Sequence, residues 1–162
     1  MKKLYGPNWI LRLYYHMSRN STNWQSLCSL VCQNANIDIC DVENNYKFGN
    51  ISHVYPLNWR FLPVVDDQVD ILLVRDLDSD ISPREVTAVN EFIQSEKDFH
   101  IMRDHPQHEV PILGGTWGIK LVKPEIREKM SSSIWKMFKK DLFYASRDRS
   151  GADQQLLRRI VW

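Results

Sequence analysis

Short apolar runs and helix-like apolar stripes alternate along the chain of 162 residues. Runs rich in aromatic and branched residues predict strands at 9–15, 37–40, 69–75 and 99–103. The segment 114–120 is predicted to be a Gly-rich bend that enters a further strand. Apolar residues spaced three and four apart predict helices at 23–33, 58–65, 83–95, 132–145 and 152–160. Because strands alternate with helices, this order predicts an α/β fold, and the length predicts one domain over 1–162.

The segment 69–75 is almost continuously apolar, as in a strand buried on both faces of a mostly parallel sheet. It ends in the acidic sequence DLDSD at 76–80. Ser82 and Glu85 then form a capping-box pattern, which predicts the start of helix 83–95. In open α/β sheets ligands bind at the carboxyl ends of strands, so the acidic sequence is the first candidate site.

The composition is that of a globular protein, with 43% apolar and 25% charged residues. It excludes disordered and collagen-like chains. The net charge of +1 argues against a nucleic-acid partner held by bulk charge. Residues 120–162 carry a basic excess, which either faces phosphate or forms a solvated helix surface.

Two Asn-x-Ser/Thr triplets, NST at 20–22 and NIS at 50–52, are acceptor patterns for N-glycosylation. They fit a protein of the secretory lumen, although such triplets also arise by chance. The N-terminal residues make an unconvincing signal peptide, because Pro7 and Asn8 interrupt any apolar core. No apolar run approaches the length of a membrane span.

Helix 23–33 contains Cys28 and Cys32, one turn apart on its apolar face, and both are predicted to be buried thiols. The chain's three cysteines show no paired metal-binding spacing. Thr22 is the predicted N-cap of this helix, with Gln25 as its capping-box partner.

Three kinds of functional site contain closely spaced acids like those at 76–80, and each is a possible interpretation of this sequence. A calcium-binding EF-hand loop needs Gly and Glu where this chain has Ile81 and Thr87, which excludes it. A haloacid-dehalogenase-like phosphatase also uses two acids at a strand end, but the usual small turn is missing and no Lys and acidic pair clearly completes the set downstream. A nucleotide-sugar glycosyltransferase uses such acids, here Asp76 and Asp78, to hold Mn²⁺ or Mg²⁺ against a diphosphate. Alternatively, the two acids only cap a turn.

Several longer motifs resemble an uncharacterised animal family of GT-A-fold glycosyltransferases. These motifs are NWRFLPVVD, VDILLVRDLDSD, FHIMRDHPQH, ILGGTWGIK and GADQQLLRRIVW. Their order is similar to that of retaining, glycogenin-like transferases. The resemblance implies a GT-A-like (Rossmann-like), mostly parallel sheet flanked by helices. It also implies a UDP- or GDP-sugar donor, a glycan or protein acceptor, and a place in the Golgi lumen.

The resemblance implies that Asp76 and Asp78 are metal ligands, and that Asp153 and Gln154 are catalytic residues beside the reacting sugar. Three arginines are candidates for binding phosphate: Arg75, Arg84 and Arg103. Further candidates for nucleotide-sugar binding are Asp104, His105, Gly114, Gly115 and Trp117. Simpler interpretations stay open for these, namely an Arg103–Asp104 ion pair, a tight glycine turn and a tryptophan in the core.

One departure from the family pattern concerns the end of the chain. Retaining relatives carry a metal-binding His and a diphosphate-binding Lys after the DQ motif, whereas the last histidine here is His108. Both termini run close to apolar elements, which predicts a domain truncated at both ends. We therefore expect weak nucleotide binding with slow or no turnover, and the alternative function is a non-catalytic, transferase-like binding protein. A zinc site at His100, His105 and His108 is disfavoured because a fourth ligand is missing.

Overall fold

The computed structural model describes residues 2–103, 110–139 and 152–160. Its helices are α1 (Lys2–Tyr5), α2 (Thr22–Gln33), α3 (Pro83–Gln94), α4 (Pro124–Lys139) and α5 (Ala152–Ile160), with a 3-10 helix at Pro56–Val65. Its strands are β1 (Leu11–Tyr15), β2 (Ile37–Asp41), β3 (Ile71–Arg75), β4 (Phe99–Ile101) and β5 (Thr116–Lys120). The mixture of helices and strands confirms the α/β class.

The chain folds into two compact units, an N-terminal unit, Met1–His53, and a C-terminal unit, Val54–Trp162. In the N-terminal unit β1 and β2 pair in parallel, with Leu11 opposite Ile37. Helix α2 lies between the two strands in sequence, as a parallel connection requires. A single domain over 1–162 stays a prediction.

The start and the burial of α2 differ from the sequence prediction. The N-cap is Ser21, whose hydroxyl accepts a hydrogen bond from the Trp24 backbone N–H at 3.2 Å, and Thr22 is already helical. Ser21 has the extended backbone that an N-cap needs, so it replaces Thr22 in that role. The prediction of buried thiols was wrong, because α2 has no buried residue, Cys28 is half-buried and Cys32 is exposed.

The C-terminal unit contains a three-stranded sheet in the order β3-β5-β4. Strand β5 is antiparallel to both neighbours, with Val74 and Ile101 both opposite Trp117. This sheet is therefore antiparallel, where a mostly parallel sheet was predicted. Strands β3 and β4 are connected by α3 and run in the same direction, but β5 lies between them and runs in the opposite direction. Hydrophobic patterning identifies strands without identifying their partners, which explains the difference.

The two faces of this sheet are covered by different elements. On one face α3 packs through Phe92, whose ring stacks on His100 at 5.2 Å between centroids. On the other face Trp117 packs against Phe61 of the 3-10 helix at 6.0 Å between centroids. Trp117, Phe61 and their neighbours in α4 are buried, so the core of the unit lies on this second face.

Helix α4 begins at Pro124, eight residues before the predicted start at 132, while residues 140–145 of the prediction lie outside the described part. Proline is favoured in the first turn, where its missing N–H costs no hydrogen bond. Arg127 of this helix donates to the carbonyls of Asp66 and Val69, both at 2.8 Å. These bonds hold the segment that connects the 3-10 helix to β3.

The other helix predictions agree with the structure. Helix α3 begins after Ser82 as predicted, and α5 occupies the predicted range 152–160. None of the helices in the described ranges has the length and apolar character needed to cross a membrane.

Candidate functional site

The acidic sequence follows β3 directly, and its first residue, Asp76, lies against the 3-10 helix. Arg60 of that helix donates from Nη1 to Asp76 Oδ1 at 2.7 Å. The Arg60 side chain is only 17% exposed, whereas 47% of the Asp76 side chain is exposed. Asp76 is thus held from the protein side while its carboxylate stays open to solvent.

Gly114 and Gly115 bring a second carboxylate to the same place. A Cβ at Gly115 would overlap the carboxylate of Asp76, and a Cβ at Gly114 would overlap that of Asp153. A Cβ at Gly114 would also lie 3.7 Å from Arg60 Nη1. The two adjacent glycines therefore let both carboxylates approach this backbone, because a larger residue would displace one of them.

We call Arg60, Asp76, Asp153 and the Gly114–Gly115 backbone the carboxylate cluster. It combines two acids with one guanidinium, so its formal charge is negative. Asp153 is only 4% exposed, which is unusual for a carboxylate. Low local polarity strengthens its interactions with charged groups. The cluster is therefore suited to a cation or to a ligand with hydrogen-bond donors.

Asp153 is positioned by α5, which begins one residue earlier. Leu157, one turn further along, is fully buried and anchors this helix. An acid in the first helical turn also complements the helix dipole. Gln154 follows on the same helix and is half-buried. The two predicted catalytic residues thus share one anchored helix, and Asp153 is the one brought to the glycines.

Arg75 lies on the other face of the sheet, toward α3. Its Nε and Nη2 donate to the two carboxylate oxygens of Glu85 at 3.0 and 2.9 Å. It also donates to the carbonyls of Ser79 and Asp80, at 2.8 and 3.3 Å. We call these contacts the Arg75 network. Four of the five guanidinium N–H groups are used within the protein, so Arg75 shapes the loop rather than presenting its charge to a phosphate.

The N-cap predicted for α3 is present. Ser82 Oγ accepts a hydrogen bond from the backbone N–H of Glu85 at 3.1 Å, which confirms Ser82 as the N-cap. The Glu85 carboxylate also pairs with Arg75. The same residue therefore links the helix start to the loop after β3.

The other predicted site residues that the structure describes lie outside the cluster. Asp78 is exposed in the turn after β3, and Arg84 is exposed in the first turn of α3. Arg103 Nη2 donates to the Pro111 carbonyl at 2.6 Å. Trp117 is 2% exposed, so its ring is part of the core rather than open for stacking on a sugar. Asp104 and His105 lie outside the described residues, as does His108.

A cavity of about 180 Å³ lies beside the Arg75 network. Its lining includes Asp80, Glu85, Val89, Met102 and Thr116, from the loop after β3, α3, β5 and the end of β4. It touches Gly115 as well, so it adjoins the carboxylate cluster across the sheet. The charged side chains of this cavity are Arg75, Asp80 and Glu85, and Arg75 is bonded to Glu85. The carboxylate cluster is the stronger candidate because the acids of two predicted motifs come together there.

The parallel strand ends of the N-terminal unit hold a different carboxylate, Asp41. It accepts hydrogen bonds from the Glu43 backbone N–H and from Asn44 Nδ2, both at 2.9 Å. Burial acts to raise the pKa of Asp41, but these bonds and the charge of Arg19 hold it below its ordinary value. Burial and the nearby Asp41 charge raise the pKa of Tyr15. This carboxylate is committed to its own turn.

Within the described residues, no three His, Cys, Asp or Glu side chains come close enough to form a metal site by themselves. Comparisons with protein-family models, with curated proteins and with solved structures found no match to this chain. The function of the candidate site is therefore inferred from its geometry alone.

Arg60 is the site residue that the sequence analysis missed. The available signal was its position, because it interrupts an otherwise apolar segment in which Trp59, Phe61 and Leu62 are buried. A cation inside a buried segment needs an acidic partner. The partner could not be identified before the fold was known.

Proposed function

We propose that the carboxylate cluster binds the diphosphate of a nucleotide sugar together with Mn²⁺ or Mg²⁺. The chain would then be a GT-A-like glycosyltransferase domain of the retaining type, with a UDP- or GDP-sugar as donor and a glycan or protein as acceptor. The observation that carries this proposal is the meeting of Asp76 and Asp153 at Gly114–Gly115. These acids come from the DxD and DQ motifs, which are far apart in the sequence.

The donor set suits a hard divalent cation. Carboxylate oxygens are its preferred protein ligands, and one or two carboxylates suffice when phosphate oxygens complete the shell. Arg60 occupies only one oxygen of Asp76, and Asp78 is exposed two residues further on. The bound cation would neutralise charge on the leaving diphosphate. A site of three protein acids is therefore not required.

The chain's own residues would supply orientation and charge. Arg60 holds the Asp76 carboxylate in place and adds a positive charge next to the bound diphosphate. Asp153, buried at the start of α5, would face the sugar and stabilise positive charge that develops on it. Gly114 and Gly115 let both carboxylates approach the same stretch of backbone.

A second candidate is a transferase-like protein that binds a nucleotide without turnover. The observation that favours it is the Arg60–Asp76 ion pair, which already neutralises one acid of the DxD pair. A neutralised acid attracts a metal ion less strongly, so the cation would be held less firmly during a reaction. Binding and sugar transfer must therefore be measured separately.

The test is calorimetric titration of the full chain with a panel of UDP- and GDP-sugars, with and without Mn²⁺. We expect at least one nucleotide to bind more tightly with Mn²⁺, and Asp78→Ala to remove that gain. Asp80→Ala is the matched control, because Asp80 is equally exposed in the same loop but lines the cavity on the α3 face.

Nucleotide affinity that does not rise with Mn²⁺ would contradict the proposed site, and an unchanged affinity in Asp78→Ala would exclude Asp78 as a metal ligand. Release of free sugar or transfer to an acceptor would distinguish an enzyme from a binding protein. Hydrolysis of simple phosphomonoesters that is lost in Asp76→Asn would instead identify a phosphatase.

A further inference from the structure

Of the two N-glycosylation triplets, the one at 50–52 has a well-defined local geometry. Asn50 is exposed, and its Oδ1 accepts hydrogen bonds from the Ser52 backbone N–H at 3.0 Å and from Ser52 Oγ at 2.8 Å. Both bonds go to the amide oxygen. The amide nitrogen, Nδ2, is the atom to which a glycan is joined, and neither bond engages it.

Ile51, the residue between Asn50 and Ser52, anchors the triplet to the N-terminal unit. Its side chain is 2% exposed, and its backbone N–H donates to the Val42 carbonyl at 2.9 Å. An exposed asparagine thus stands on a fixed turn whose central side chain is in the core. A glycan on Asn50 would extend into solvent without displacing a buried group.

We propose that Asn50 is an N-glycosylation site, used when the chain passes through the lumen of the secretory pathway. The co-reactant is an oligosaccharide linked to a polyprenyl diphosphate, supplied with the transferase of that compartment. Asn50 Nδ2 forms a bond to the anomeric carbon, and the bond from that carbon to the diphosphate oxygen breaks. The lipid diphosphate leaves with the electron pair, and the Nδ2 proton goes to a base of the transferase.

The triplet at 20–22 differs in its local structure and provides a matched comparison. Asn20 is exposed too, but Ser21 donates to the Ser18 carbonyl and caps α2, while Thr22 begins the helix. The hydroxyl two residues after Asn20 is therefore part of a helix, whereas the hydroxyl of Ser52 contacts its asparagine. We assign the glycan to Asn50.

The experiment expresses the full chain in animal cells behind a cleavable secretory leader. Peptide N-glycosidase followed by peptide mass spectrometry reports each glycosylated position, because the enzyme converts that asparagine to aspartate. We expect conversion at Asn50, with complete loss of the signal in Asn50→Gln and Ser52→Ala. Ser52→Thr keeps the hydroxyl and should keep the glycan, and Asn20→Gln should leave the Asn50 signal unchanged.

A secreted chain with no conversion at Asn50 would overturn the assignment, as would a glycan that persists in Ser52→Ala. The folding argument has its own check, since glycosylated protein and protein treated with the glycosidase should unfold at the same temperature within a few degrees. A glycan that prevents folding would contradict the exposed placement of Asn50. None of these outcomes depends on the proposed transferase site.

Discussion

Arg75 and Asp76 are adjacent in sequence but belong to two different regions of the C-terminal unit. Toward α3, Arg75 is surrounded by protein acceptors, and its charge is balanced by Glu85. Toward the 3-10 helix, Asp76 is held by Arg60 on one side and is still half open to solvent. Successive side chains of an extended chain point to opposite sides, and here the Arg75 side chain holds the loop while the Asp76 carboxylate is still half open to solvent.

This contrast explains why arginines near a DxD sequence cannot be assigned by proximity in sequence. Arg75 directly precedes the motif yet is committed to the loop. Arg60 lies well before it in the sequence but contacts Asp76 directly. Mutations in the Arg75 network should therefore lower the stability of the protein, whereas mutations in the carboxylate cluster should lower its affinity for the ligand.

The largest expected effect is that of Arg75→Ala. It removes four hydrogen bonds, two of which go to the carboxylate of Glu85, a side chain that is only 17% exposed. We expect the free energy of unfolding to fall by about 2–3 kcal/mol, measured by urea denaturation. Nucleotide affinity of the folded variant should change little. A stable variant that loses nucleotide affinity would mean that Arg75 contacts the ligand after all.

Substitutions of two glycines in the same segment sharpen the comparison. A Cβ at Gly118 would lie 3.0 Å from the Leu72 carbonyl oxygen, which is backbone and cannot move aside. Gly118→Ala should therefore cost about 1–3 kcal/mol in unfolding free energy. The three atoms nearest to a Cβ at Gly115 would all belong to the carboxylate of Asp76, the end of a flexible side chain.

Gly115→Ala should accordingly cost less stability than Gly118→Ala while weakening nucleotide binding by about tenfold, equivalent to roughly 1.4 kcal/mol. Thermal unfolding and calorimetry of the two variants provide the measurement. If Gly115→Ala binds nucleotide like the wild type, the glycine pair has only a structural role.

Sequence reasoning was most successful where one local signal determines the outcome. Ser82 and Pro83 define the start of α3, and the apolar stripe of α5 gives its range. It failed where two segments had to be matched. The position of β5 between β3 and β4, and the contact of Arg60 with Asp76, depend on which elements pack together. The family resemblance implied a metal-binding role for Asp76 and a place near the sugar for Asp153, and no pattern in the sequence indicates that both approach adjacent glycines.

A smaller effect is expected for Ser82→Ala, which removes the N-cap of α3 but no group of the carboxylate cluster. Loss of such a cap costs about 1 kcal/mol of stability. Nucleotide affinity at saturating Mn²⁺ should be unchanged. A large loss of binding in the folded variant would place Ser82, and with it the cavity beside α3, in contact with the ligand.

The smallest effect concerns Asp41, a strand-end carboxylate that has only a structural role in this account. Because its pKa is lowered by folding, Asp41 stabilises the protein at neutral pH, and this contribution is lost as the pH falls below about 4. Asp41→Asn should reduce the slope of stability against pH in the acidic range. Equal slopes in both proteins, measured by denaturation at several pH values, would contradict this role.

The central claim is that Asp76 and Asp153 act on one ligand as one site. A double-mutant cycle on UDP or GDP affinity with Mn²⁺, using Asp76→Asn, Asp153→Asn and the double variant, tests it most directly. Residues of one site should show a coupling energy of at least about 0.5 kcal/mol, whereas a control cycle of Asp153→Asn with Glu85→Gln should be additive within about 0.3 kcal/mol. Additive effects of Asp76→Asn and Asp153→Asn would contradict the claim and separate the two carboxylates into independent roles.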